Sequence, residues 1–219
     1  MSRYAVIGLG RFGSWVARTL ESLGHEVIAI DMSDALVDRN AEFVSRAVRG
    51  DATDPAVLRG AGVAGVDAAV ITMGENLAAS ILATVALRDL GVPRLYVKAA
   101  GDAEARALDA FGVTEVIVPE KEAGVRLAHR IGSPNVFDYR PLGEGHSIQE
   151  IAVPPAWVGR SLRELDPRAK GGIQVIAVCC TLSERVQVPP DPDAALKDSD
   201  ALIVAGADAA LAGLPRRKS

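Results

Sequence analysis

The residues best placed to do chemistry lie near the start of the chain, in the string Gly8-Leu9-Gly10-Arg11-Phe12-Gly13. Its spacing is G-x-G-x-x-G, and each missing Cβ has a use. Gly8 permits a tight turn, Gly10 lets a pyrophosphate approach the backbone, and Gly13 lets the next helix pack close to a sheet. The string follows the apolar run Ala5-Val6-Ile7 and precedes Phe12, Val16, Leu20 and Leu23 at helical spacing. The free N–H groups that open such a helix attract phosphate. A glycine turn without a ligand is the plainer alternative. Asp31 closes the second apolar run, Val27 to Ile30, where a carboxylate accepts ribose hydroxyls and argues against the 2′-phosphate of NADP. Capping the following helix is its other reading. Asp51 and Ala52 follow the third apolar run and Thr72 the fourth, which puts all three at the same sheet edge as candidate nucleotide contacts. For Asp51 a turn beside Thr53 serves equally well. Arg11 departs from a plain dinucleotide site. A guanidinium inside the loop makes charge-assisted, bidentate contacts that suit a terminal phosphate better than a nicotinamide ribose. A solvated loop arginine is the alternative.

These residues bind but do not catalyse. Hydride transfer needs a substrate site and a positioned acid or base. His25, His129 and His146 fall at a strand entrance, on a helix and in a connector, and read as structural or exposed. No Ser-His-Asp grouping, zinc spacing or Tyr-x-x-x-Lys string accompanies them. The chain is therefore expected not to be an enzyme.

Positioning the glycine string requires a doubly wound α/β domain. Further near-continuous apolar runs, at 44–48, 68–71, 94–98 and 115–118, alternate with helical stretches at 33–41, 55–61, 76–90, 102–111 and 120–131. Strands apolar on both faces belong to a parallel sheet covered by helices. This Rossmann-type domain is expected over 1–133. A connector over 134–146 follows, and then a small α+β module over 147–214. That module has strands near Ile148, Ile173–Val178, Val186 and Ala201–Val204 and a short helix over Ser161–Leu165. It is near the lower size limit for independent stability, so oligomerisation is expected.

The bulk properties agree. The 219 residues carry a formal charge of −4, and aromatics make up only 4%. A mildly acidic chain gains no general attraction to nucleic acid. The tail Arg216-Arg217-Lys218 reads as a solvated end. The two cysteines, Cys179 and Cys180, are adjacent and unsuited to pairing, which favours a reducing compartment. The start fits no signal peptide, and the longest apolar helix candidate, Leu77 to Leu87, is too short to span a bilayer.

The strings AVIGLGRFG, GHEVIAID, RGDATD, YVKA and VIVPEKEAG resemble those of the RCK regulatory proteins, the soluble subunits of Ktr and Trk potassium uptake systems. SLRELDPRAKGGIQVIAV and DALIVAG resemble the family's C-terminal domain, so the likeness covers almost the whole chain. One RCK unit per chain is similar to the Ktr type. The resemblance implies a cytoplasmic protein held on the inner face of the membrane by a potassium-transporting partner. It implies homodimers assembled into an octameric ring, with ATP favouring the active state and ADP the inactive one. Arg11 would reach the terminal phosphate. Glu120 would help hold Mg²⁺ or Ca²⁺ near the phosphates, although a helix N-terminal acid is its other reading. Lys98 would add charge at the same edge. Arg168 falls in the stretch that binds cyclic di-AMP in this family, where a ligand-free dimerisation module is the alternative. Three other functions stay open: an NAD(H)-responsive Trk-type regulator, an NAD-dependent oxidoreductase and an inert scaffold.

Overall fold

In the computed structural model, which describes residues 1–74, 76–181 and 185–215, the chain divides into two compact units, Met1–Lys121 and Glu122–Ser219. The basic tail at 216–218 lies outside the described residues.

The first unit alternates strand and helix throughout. Strands β1 (Arg3–Ile7), β2 (Glu26–Asp31), β3 (Arg46–Arg49), β4 (Ala68–Ile71), β5 (Leu95–Lys98) and β6 (Glu115–Ile117) form one parallel sheet in the order β3-β2-β1-β4-β5-β6. Helices α1 (Arg11–Ser22), α2 (Asp34–Ala41), α3 (Pro55–Ala61), α4 (Leu77–Asp89) and α5 (Asp102–Asp109) connect them. Because side chains alternate across a strand, Ala5 and Ile7 enter one core with Leu58 and Leu87. Val6 enters another with Val27 and Ala17. Ile7, Ile30 and Ile71 are essentially inaccessible. Burying each contributes roughly 1.5–3 kcal/mol, which is why the apolar runs had to become interior strands. Helix α6 (Pro119–Gly132) starts in this unit, continues into the second, and has no buried residue.

The second unit is an antiparallel sheet of β7 (Val136–Gly143), β8 (His146–Ala152), β9 (Gln174–Cys180), β10 (Arg185–Gln187) and β11 (Asp200–Ala207), in the order β10-β9-β11-β8-β7. Short helices α7 (Leu162–Leu165), α8 (Pro167–Gly171) and α9 (Asp208–Ala212) complete it around Ile151, Leu165, Val175 and Leu202. Ser161 caps α7 by accepting from the Glu164 N–H. The stretch 134–146, expected as a connector, is mostly extended. Most of it is β7, paired along β8 from Val136 to Gly143, and the units divide at Lys121/Glu122 rather than after 133. An edge strand needs only one buried face, and β7 buries Tyr139 alone, so its apolar pattern is weak. Cys179 and Cys180 lie side by side in β9 and are unbridged.

Arg126 on α6 grips Asp138 on β7, with Nη2 donating at 2.9 and 3.1 Å to the two carboxylate oxygens. This bond, more than any other cause, holds the Asp138 carboxyl below its ordinary range. A depressed folded pKa adds stability above the unfolded value, and that stability is lost as pH falls through the folded one. Arg126→Gln is therefore expected to raise the Asp138 titration, followed by carbon-detected NMR. It should also flatten the decline of the unfolding midpoint on acidification across the interval between the two values.

Candidate functional site

In a parallel sheet every strand delivers its next residue to the same carboxyl edge. Here the strand order reverses between β1 and β4, the crevice where such folds take ligands. Gly8 follows β1, Asp31 ends β2, Gly50 follows β3 and Thr72 follows β4. Together with Gly10 and Ala52 they line a cleft of about 340 Å³.

Backbone contacts build the cleft. Gly8 has φ +92°, and a Cβ on it would stand 2.8 Å from the Thr72 carbonyl. The Thr72 hydroxyl donates to the Gly8 carbonyl at 2.8 Å and the Gly8 N–H donates to Ile30 O at 2.8 Å. A Cβ on Gly13 would come within 2.0 Å of the Gly8 carbonyl, so α1 sits against the turn at a distance only glycine permits. Gly10 is different. A Cβ there would meet nothing within 4 Å, and its φ of −62° suits any residue. The fold does not require glycine at 10, and what it preserves is open space beside the helix N-terminus. No side chain caps α1 and its first turn holds no acid, which leaves N–H donors for a ligand.

Asp31 Oδ2 accepts from the Leu9 N–H at 2.6 Å and Oδ1 from the Ser33 N–H at 2.8 Å. The carboxylate is thus fixed to the glycine turn and at the start of α2 at once, with lone pairs left for hydroxyl donors. Asp51 behaves as a turn residue. Its Oδ1 accepts from the Thr53 N–H at 2.9 Å and from its hydroxyl at 2.7 Å, the two bonds that keep this carboxyl below its usual range. Arg11 is exposed, faces a neighbouring cleft, and has no side-chain partner among the described residues. Phe12 lines a different cleft, together with Tyr4, Val16 and Tyr96.

Lys98 and Glu120 meet each other rather than the cleft. Lys98 Nζ stands 2.7 Å from Glu120 Oε1, and this bond, ahead of the residue's own N–H, keeps the Glu120 carboxyl below its ordinary range. A hard divalent cation takes about six or more oxygens. One chain offers a single carboxylate already joined to an ammonium, and no group of three or more His, Cys, Asp or Glu suited to a metal occurs among the described residues. The described residues of one chain therefore do not by themselves make the cation site. Arg168 is exposed on α8 and is not among the residues that line the glycine cleft. The histidines also lie elsewhere. His25 packs edge-on to Tyr4 and His129 stacks on Tyr139 at 3.6 Å. Met32 and Met73 line the cleft without having been singled out in the sequence, and their only signal there is adjacency to Asp31 and Thr72.

This is a doubly wound domain with an open cleft at the uncapped mouth of α1, followed in the chain by an antiparallel module. The model of the TrkA-N domain matches residues 4–119 and that of the TrkA-C domain matches 148–216, and the chain belongs to this family. It is 40% identical over 203 residues to the Ktr system potassium uptake protein C of Bacillus subtilis, covering 93% of this chain and 91% of that one. With the Ktr system potassium uptake protein A of Vibrio alginolyticus the identity is 32%, over 93% and 92%. Among solved structures, the GsuK channel bound to NAD shares 25% identity at a TM-score of 0.53. That match covers 98% of this chain and 38% of the channel. GsuK bound to ADP shares 27% at 0.52, over 59% of this chain and 34% of that one. Both Ktr relatives are potassium uptake proteins. Among the described residues no helix is long and apolar enough to cross a membrane.

Two glycines separate folding from binding. Gly13→Ala is expected to destabilise the chain by roughly 1–3 kcal/mol through overpacking, even though Ala favours helices. Gly10→Ala should leave the melting temperature close to wild type. Thermal unfolding of both variants checks this.

Proposed function

We propose that the chain is a nucleotide-sensing regulatory subunit that gates a membrane potassium channel or transporter in response to ATP and ADP. The observation that carries this reading is the Gly8–Gly13 cradle with Asp31 fixed beside it, on a chain that aligns almost end to end with Ktr potassium uptake proteins. Asp31 takes the ribose, the opening turn of α1 takes the phosphates, and Gly10 gives them room. Arg11, without a side-chain partner among the described residues, holds the phosphate that ADP lacks. Such a ligand drives a conformational change only through different affinities for two states. Homodimers assembled into an octameric ring on the inner face of the membrane supply those states. Mg²⁺ or Ca²⁺ at Glu120 requires oxygens from nucleotide phosphates or a second copy, in competition with Lys98. A cyclic di-AMP site at Arg168 belongs to the same resemblance.

The second reading is an NAD(H)-responsive regulator. It is favoured by the carboxylate at Asp31 and by the GsuK channel bound to NAD.

Calorimetric titration of ATP, ADP, NAD and NADH, with Mg²⁺ present, separates the two. A charged hydrogen bond is worth about 1.5–3 kcal/mol, or roughly ten- to a hundredfold in affinity. Arg11→Ala is expected to weaken ATP by that factor and to spare ADP, while Gly10→Ala weakens both. Tightest binding of NADH, with Arg11→Ala silent, overturns the ATP/ADP reading in favour of the second. No nucleotide binding at all leaves a scaffold.

A further inference from the structure

Beside the glycine cleft lies a second one of about 460 Å³, lined by residues of the glycine turn, α1 and α2. Gly10 and Leu36 line both, so the two clefts are contiguous at the turn that opens α1. Arg11, Arg18 and Arg39 line the second cleft together with Trp15, an indole left 73% exposed. Among the described residues none of these guanidiniums is paired with a carboxylate. Three like charges without a counter-ion repel one another, and the chain as a whole is acidic, at −4.

Arg18 is also held in place. Its Nε donates to Asn40 Oδ1 at 3.0 Å, its Nη2 donates to the Arg39 carbonyl at 3.1 Å, and its guanidinium lies 3.8 Å from the Phe43 ring centroid. Asn40 is fully buried. Its Nδ2 donates to Leu36 O at 2.8 Å and to Ser14 Oγ at 3.1 Å, and the Ser14 hydroxyl donates to Leu9 O at 2.7 Å. The chain of bonds runs from the cation to the glycine turn, so the charge is already oriented before any ligand arrives. Arg11 and Arg39 make no side-chain bond to a described residue, so the fold does not account for them.

We propose that this cleft is a second anion site that takes phosphate oxygens extending past Gly10. Their source is the terminal phosphate of a nucleotide seated in the glycine cleft. Phosphate number is then read by three guanidiniums, two on α1 and one on α2, rather than by Arg11 alone. A free oligophosphate carries the same chemistry and is the other source. The nucleotide arm of this inference rests on the function proposed above.

The chain has two tryptophans. Trp157→Phe in the full-length protein leaves Trp15 as the sole indole reporter at the rim. Its emission and the heat of binding are followed during titration with ADP, ATP and inorganic tripolyphosphate. ATP is expected to shift Trp15 emission and ADP to shift it little. Arg39→Ala, an exposed site whose backbone bond to Arg18 survives, should weaken ATP by roughly tenfold with ADP and the melting temperature unchanged, and Arg39→Lys should restore part of the loss. If Arg11→Ala weakens ATP while Arg39→Ala does not, the second site is overturned and the nucleotide reading stands. If tripolyphosphate binds in an Arg39-dependent way and no nucleotide does, the anion site stands with a free oligophosphate as its ligand and the nucleotide reading falls. If nothing binds, both fall.

Discussion

The carbonyl oxygen of Gly8 sets how near α1 comes to the sheet. It accepts the Thr72 hydroxyl from one side and excludes any Cβ at Gly13 from the other. Strand β4, the turn after β1 and the first turn of α1 therefore meet at one atom. Because α1 is pressed this close, its uncapped N–H groups open at the point where the strand order reverses. Asp31 extends the same constraint to β2 by accepting the Leu9 N–H. A turn made of backbone atoms held from several strands has little left to reorganise, and such preorganisation is where a binding site of this kind gains affinity.

This dependence explains what could be read from the sequence. Gly8, Asp31 and Thr72 meet because each lies at or just after the end of a buried interior strand, and buried strands announce themselves as apolar runs, whereas Ala52 follows the partly exposed edge strand β3. Topology then does the gathering without any long-range information. Phe12 does not join them. Only its backbone N–H belongs to the helix mouth, and the residue lines a different cleft. Asp51 lies at the right edge, but local bonds to Thr53 hold its carboxylate in a turn. Lys98 ends β5, two strands from β1 in the sheet and so about 10 Å across it, and finds Glu120 instead.

The second unit was less legible for a physical reason. β7 is an edge strand with one buried residue, a proline at 141 and an exposed C-terminal half, so it carries neither the continuous apolar signal of a central strand nor clean alternation. Its strand character comes from pairing with β8, a relation between segments that neither segment states alone. Helix α6 is read correctly as a helix, yet it buries nothing within the described chain. Arg126 on it finds Asp138 twelve residues on, a contact of tertiary origin.

The basic cleft is half legible in the same sense. Arg11, Ser14 and Arg18 fall at three-, four- and seven-residue intervals, so they share one helix face and could have been grouped from spacing alone. Arg39 could not, since it comes from α2 and is brought alongside through Asn40, a buried amide that accepts from Arg18 and donates to Ser14 and to the Leu36 carbonyl. That buried amide ties the orientation of Arg18 to the glycine turn through Ser14 and Leu9. A phosphate that pulls on the arginines therefore pulls on the turn that cradles the rest of the ligand. The linings of the two clefts are thus joined by one hydrogen-bonded path. A ligand long enough to touch both gains from each end the order the other has already imposed.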